Sequence, residues 1–264
     1  MQTTKIPKLG FYFKGFPGDV RFRRHTIPES LEIARGTLYE TWYRCLKISP
    51  YTKEGAKKGL WRSEEQQLTY QRFGDLADTT FDSWWVGKGF ELFKEKGNFK
   101  RIDVLKDATH KGNADKLLLE IPLTVSPVTL KVQFDRLLRL HHPQYNKFDR
   151  WRHSTADEKL NQSRLTSVSL NLYISVYEHW NKQKNAARYK IGEEMSLNPR
   201  YVVKHGDLGV DVREKHLQMS LLVTEYLKKG KNLIAHASEG RFPCTDDHEW
   251  IERSTRVRRS RYGD

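Results

Sequence analysis

Cysteine is nearly missing from this chain of 264 residues, with Cys45 and Cys244 as the whole complement. Two thiols supply neither a disulfide framework nor a cysteine-built zinc site, and a reducing compartment fits best. Long apolar runs are missing as well. No stretch approaches the ~20 residues of a membrane-spanning helix. The opening Met1-Gln-Thr-Thr-Lys-Ile-Pro7 lacks the apolar core of a secretory signal. The expectation is a folded cytoplasmic protein with no membrane partner. Acidic residues are in short supply, 33 Asp and Glu against 47 Lys and Arg, for a formal net charge of +14. Charge of that size and sign attracts polyanions. Disorder is not expected, because 7 Trp, 12 Tyr and 12 Phe supply ample material for a core.

Catalytic signatures are missing in turn. The chain has no Walker loop, no His-Glu-x-x-His, no Cys-x-x-Cys and no Gly-x-Ser-x-Gly. Gly87-Lys-Gly89 lacks the third glycine and the Lys-Ser/Thr of a phosphate loop. His141, His142 and His153, with Asn146, resemble a His-Asn-His nuclease only in composition, since no strand–strand–helix frame surrounds them. Asp246-Asp247-His248-Glu249 offers hard oxygen ligands for Mg²⁺, but adjacent residues on one loop rarely converge on an ion. No cofactor, metal or catalytic residue is expected.

The basic residues that are present lie at the two ends. Residues 1–62 carry 13 basic and 5 acidic side chains, residues 63–150 carry 14 and 13, and residues 151–264 carry 20 and 15. Arg21, Arg23 and Arg24 alternate with Val20 and Phe22 as on an exposed strand or extended arm. Arg253, Arg256, Arg258, Arg259 and Arg261 form an arginine-rich tail over residues 251–264, suited to phosphates or a narrow minor groove.

Apolar spacing predicts a mainly α, multi-helix protein with a small β element. One helix is expected from Pro28 to Ile48, with Leu31, Ala34, Leu38, Trp42 and Leu46 as its stripe and Pro50 as its stop. Ser63-Glu-Glu-Gln66 fits a capping box for a helix through Phe73, and Thr80 caps another carrying Phe81, Trp84, Trp85, Leu92 and Phe93. Trp84 and Trp85 fit a packed core better than a stacking platform for bases. Leu117–Leu123 is the strand candidate, Ser126-Pro127 opens a helix towards His141, and residues 142–163 read as a polar connector.

Three C-terminal helices, at 165–182, 189–196 and 212–239, predict a helix-turn-helix-like module. Gly192 or Ser196 would allow the close crossing, and Gly240 would end the last helix. Leu222, Val223, Tyr226, Leu227, Leu233 and Ile234 would be buried, and Lys228, Lys229, Lys231 and His236 would point outwards to phosphates or bases. The stretch Asn198 to Asp211 is longer than the usual turn of about three or four residues.

The organisation expected is an aromatic-rich helical domain over 1–110, serving a homo-oligomer or protein partner, and a DNA-binding domain over 115–250 followed by the tail. The function expected is non-catalytic binding of nucleic acid, duplex DNA foremost. The protein would be a regulator or a replication or maintenance accessory of a bacterial or phage element. The alternatives are a metal-dependent nuclease and a structural protein meeting an acidic partner.

Overall fold

Helix after helix in this chain opens on a hydroxyl side chain. Ser and Thr accept a hydrogen bond from backbone N–H groups that the first helical turn leaves unsatisfied. The computed structural model of the protein describes residues 10–97, 119–142, 144–146, 149, 151–161 and 163–251. Within them, Thr37, Ser49, Ser63 and Thr80 accept from the backbone at the starts of α2 (Leu38–Ile48), α3 (Pro50–Lys58), α4 (Glu64–Phe73) and α5 (Phe81–Trp84). Before these comes α1 (Ile27–Ala34), where Glu29 accepts from the Thr26 amide at 2.8 Å. After them come α6 (Phe90–Phe93), α7 (Pro127–His141) and α8 (Ser167–Lys182), the last two capped by Ser126 and Thr166. The short α9 (Arg188–Glu194) and the long α10 (Gly209–Ser238) complete the order. The protein is mainly α, and the β pairing among the described residues is one isolated bridge between Phe11 and His25.

The single helix expected from Pro28 to Ile48 is two. Gly36 takes φ +71, a left-handed conformation that interrupts the helix, and Thr37 caps the next segment. Pro50 does more than stop α2. Ser49 ends α2 and caps α3, and Pro50 occupies the first turn of α3, where its missing N–H is harmless. In α4, Ser63 accepts from the Gln66 amide at 3.2 Å. The Gln66 side chain accepts from Arg62, one residue before the position a capping box requires.

Thr80 caps a helical run with a π turn at Trp85–Gly89 between α5 and α6. Phe81, Trp84, Trp85, Leu92 and Phe93 are all buried, so the tryptophans are core. Residues 119–123 form no strand. Pro122 within them has no N–H for a ladder, and Leu117 and Leu118 lie outside the described residues.

Residues on both sides of 98–118 share one buried cluster. Trp42 donates its indole N–H to the Ala237 carbonyl at 3.2 Å and stacks on Phe242 with ring centroids 5.2 Å apart. The Trp85 indole N–H donates to Ser30 at 2.9 Å, so neither buried tryptophan leaves its polar atom unmatched. Arg44 of α2 pairs with Glu178 of α8. The polar connector expected at 142–163 is, over residues 151–160, a strap that turns at 151–153 and bends at 156–158. Ser154, Ala156, Glu158 and Leu160 are buried while the residues between them are exposed, so every second side chain of the strap faces the core. Its amides reach the Leu92 carbonyl from Glu158 (2.9 Å) and the Phe242 carbonyl from Asn161 (2.7 Å).

Candidate functional site

Helix α10 decides the candidate interface, because its two halves have different neighbours. From Asn232 to Ser238 every residue is buried. Val223, Leu227, Leu233 and Ile234 are buried as the apolar pattern expects, and Leu222 and Tyr226 are half-buried. Close crossing of α9 depends on Gly192, where a Cβ would meet the Met219 side chain at 2.4 Å. Arg188 at the start of α9 donates to Thr224 at 2.8 Å, and the Tyr189 and His216 rings stack 3.8 Å apart.

The lysines expected to reach outwards are partnered within the chain. Lys228 pairs with Asp247 at 2.7 Å, with 59% of its side chain exposed. Lys229 pairs with Glu225 one turn earlier at 2.6 Å and lies 5.4 Å over the Tyr173 ring. The bond from Glu225 raises its pKa. Lys231 lies 4.7 Å over the Trp180 ring, where burial, and then the Arg188 charge, lower its pKa. His236 does not point outwards. It is buried, because the turn at Gly240 (φ +76) brings residues 241–250 back over it.

The returning segment closes a polar cluster at the end of α10. Ser63 donates to Glu239 Oε1 at 2.9 Å, and His248 meets Glu239 Oε2 at 3.0 Å. The Trp250 amide donates to His248 Nδ1 at 3.1 Å, which leaves the ring proton on Nε2, aimed at Glu239. Burial opposes ionisation of Glu239, but the bonds from His248, Ser63 and Arg241 outweigh it and leave the pKa lowered. His236 directs Nε2 at the Asp246 carbonyl (3.1 Å), and its buried Nδ1 meets no partner among the described residues. Burial is the largest cause lowering its pKa. This cluster fastens residues 241–250 over the end of α10. The oxygens of Glu239 are taken by donors, and Ser63 both caps α4 and donates to Glu239.

The other residues weighed from the sequence lie apart from it. His141 and His142 stand exposed at the end of α7, and His153 on the strap. Asp246 and Asp247 sit beside His236 and Lys228. Among the described residues, no group of three or more His, Cys, Asp and Glu is arranged to hold a metal ion. Arg21 sits in a 3-10 turn (Gly18–Phe22) with its guanidinium 4.6 Å over Phe22. The expected extended arm is therefore coiled until Arg23, because Gly18 takes φ +53 after Pro17. Arg23 and Arg24 are exposed, and Arg24 lies 5.4 Å over Tyr12. Arg253, Arg256, Arg258, Arg259 and Arg261 lie outside the described residues.

Helical pattern reasoning missed one basic surface. Lys182, Lys184, Arg188 and Lys190 are all exposed at the corner between α8 and α9, and no acidic residue occurs from 179 to 192. A count of charge along the chain would have found it. No described helix is long and apolar enough to cross a membrane. Comparison of the chain with protein-family models, curated proteins and solved structures returned no match.

Proposed function

We propose that the protein binds nucleic acid without catalysis, duplex DNA foremost, through phosphate contacts made at the α8–α9 corner. The observation that carries this is the exposed run of Lys182, Lys184, Arg188 and Lys190, with Glu194, bonded to His179 and Gln183, as the acidic residue beside it, in a chain of net charge +14. Four cations held on neighbouring turns displace condensed counterions, and that release drives sequence-independent affinity.

Helices α8, α9 and α10 form the helix-turn-helix-like module of this reading, with α9 against the DNA backbone. The segment Met195 to Leu208, with a 3-10 turn at Pro199–Tyr201, stands in place of the usual short turn. The first turns of α10 carry Asp211 and Glu214 beside Arg213 and Lys215, a balance that offers phosphate no net attraction, so α10 braces the module in this reading. Lys228, Lys229 and Lys231 add to the field from the same module. Arg21 on its 3-10 turn, Arg23, Arg24 and the tail arginines would add further phosphate contacts. The cellular setting that fits is a cytoplasmic regulator or a replication or maintenance accessory of a bacterial or phage element.

The test is titration into labelled duplex DNA at several salt concentrations, with single-stranded DNA and RNA alongside. Affinity should fall steeply with salt, by about 0.9 in log–log slope per phosphate contact on duplex DNA. Combined replacement of Lys184, Arg188 and Lys190 by Ala should flatten that slope by about three contacts. An unchanged slope would move the contacts elsewhere, and no binding to any of the three nucleic acids would sink the reading.

A further inference from the structure

The segment that returns over α10 is held down by polar contacts almost alone. Phe242 is fixed in the core by its stack on Trp42 and by the Asn161 amide on its carbonyl. Beyond Pro243, among residues 244–250, His248 is the one buried side chain. The Asn232 side chain donates to the Thr245 carbonyl at 3.4 Å and accepts from the His248 amide at 3.3 Å. Lys228 pairs with Asp247, and the Trp250 ring rests on Tyr51 with centroids 5.1 Å apart. A segment with so little apolar burial opens at lower free energy than the helices beneath it.

Under it lies His236, with room for one ring proton. Nε2 donates to the Asp246 carbonyl, so Nδ1 carries a lone pair, and that atom has no partner among the described residues. A second proton, on Nδ1, would be a buried charge without an acceptor. The covering segment brings Arg241 and His248 to it, the His248 ring with its centroid 4.6 Å away. Its own helix brings Glu239, whose oxygens already serve His248, Arg241 and Ser63 of the α4 cap. The carboxylates of Asp246 and Asp247 are turned to Cys244 and Lys228. Helix α2 adds neutral groups, Trp42 on the Ala237 carbonyl and Ser49 on Ser238, and Arg62 ahead of α4 lies over the Trp250 ring at 5.8 Å. Lifting residues 244–250 hydrates the ring and admits the proton.

We propose that residues 244–250 are an acid-released latch: a proton on His236 lifts them from the end of α10 while Phe242 and the helical core stay in place. Falling pH is the trigger. The released ring takes up a proton near the ordinary imidazole value of about 6.5 and the covered ring does not, so acid shifts the population towards release. Release parts Asp247 from Lys228 and uncovers the Tyr51 ring, which changes both the charge and the shape of the surface there. The latch does not rest on nucleic-acid binding.

Hydrogen exchange at about pH 7 and about pH 5.5, corrected for the intrinsic effect of pH, tests this. The amides of His248, Trp250 and Ile251 are bonded in the closed latch. They should lose about tenfold in protection, the factor set by one pH unit below the imidazole value. Amides from Asn232 to Ser238 should keep theirs, and Cys45, buried in α2, should stay closed to a thiol reagent, which separates release from global unfolding. His236→Gln offers an amide donor to the Asp246 carbonyl and takes no proton, so its latch should be equally protected at both values. Equal protection in the wild type would overturn the proposal, whether or not the variant folds. So would a loss in step across α10, or a His236→Gln latch that still opens in acid, which would assign the trigger to His248.

Discussion

A Cβ on Gly230 would stand 2.7 Å from the carbonyl oxygen of Tyr173, so α10 and α8 touch backbone to backbone at that point. The neighbour is main chain and cannot swing aside. Gly230→Ala should therefore destabilise by about 1–3 kcal/mol, the range for overpacking. That loss outweighs the gain of about 1 kcal/mol that alanine brings to a helix interior. Denaturant unfolding measures it, and a more stable variant would show that the two helices part freely.

The buried His236 makes stability depend on pH. Burial is the largest cause lowering its pKa; His248 and Arg241 push the same way, against the Asp246 carbonyl. Below the ordinary imidazole value of about 6.5 the unfolded chain takes up a proton that the folded chain refuses. Stability contributed here is complete above that value and declines below it, by at most about 1.4 kcal/mol per pH unit. His236→Gln should flatten the urea midpoint between about pH 7 and pH 5.5. An equally steep profile would assign the proton to another group.

Glu158 is buried on the strap, and burial raises its pKa while Arg72, 2.8 Å away, offsets part of the rise. Arg72→Ala leaves a buried carboxylate without its partner and should destabilise by about 1–3 kcal/mol at neutral pH. Because the folded carboxyl then holds its proton more tightly than the unfolded one, the variant should regain stability as the pH falls. Adding Glu158→Gln should restore part of the loss at neutral pH. Failure of both the acid and the second substitution to help would mean Arg72 acts by packing alone.

Two serine caps of the same geometry should differ in consequence. Ser63 caps α4 and also donates to Glu239, whereas Ser126 caps α7, which has no buried residue. Ser63→Ala should lower global stability by about 1–2 kcal/mol. Ser126→Ala should leave the global transition in place and speed amide hydrogen exchange in α7 alone. Equal shifts of the midpoint in both variants would show that α7 unfolds together with the core.

Much of the helical content was legible because the physics that makes it is local. Thr80 and Ser126 announce the helices they cap, and the alternation of buried positions along α8 and α10 follows apolar spacing. What the sequence hid is set over long distances. The break at Gly36 looks like a tolerable glycine until Thr37 and Glu40 are seen to bond across it, with Glu40 accepting from the Gly36 amide at 2.6 Å. His236 reads as an outward polar residue because its cover, residues 241–250, returns only after the turn at Gly240. Lys228 and Lys229 read as free cations because sequence does not show which carboxylates stand beside them. The small and apolar residues of the strap carried no periodic signal strong enough to separate it from a loop.

Phe242 and Ala237 complete the environment of Trp42, and Ala237 lies 195 residues further along. During synthesis from the N-terminal end, the face of α2 that carries Trp42 has no lasting cover until those late residues emerge. The aromatic cluster cannot close one helix at a time, so folding awaits a long-range loop closure and proceeds slowly for a helical protein. For that interval the nascent chain leaves large apolar side chains of α2 uncovered, the condition under which incomplete chains aggregate.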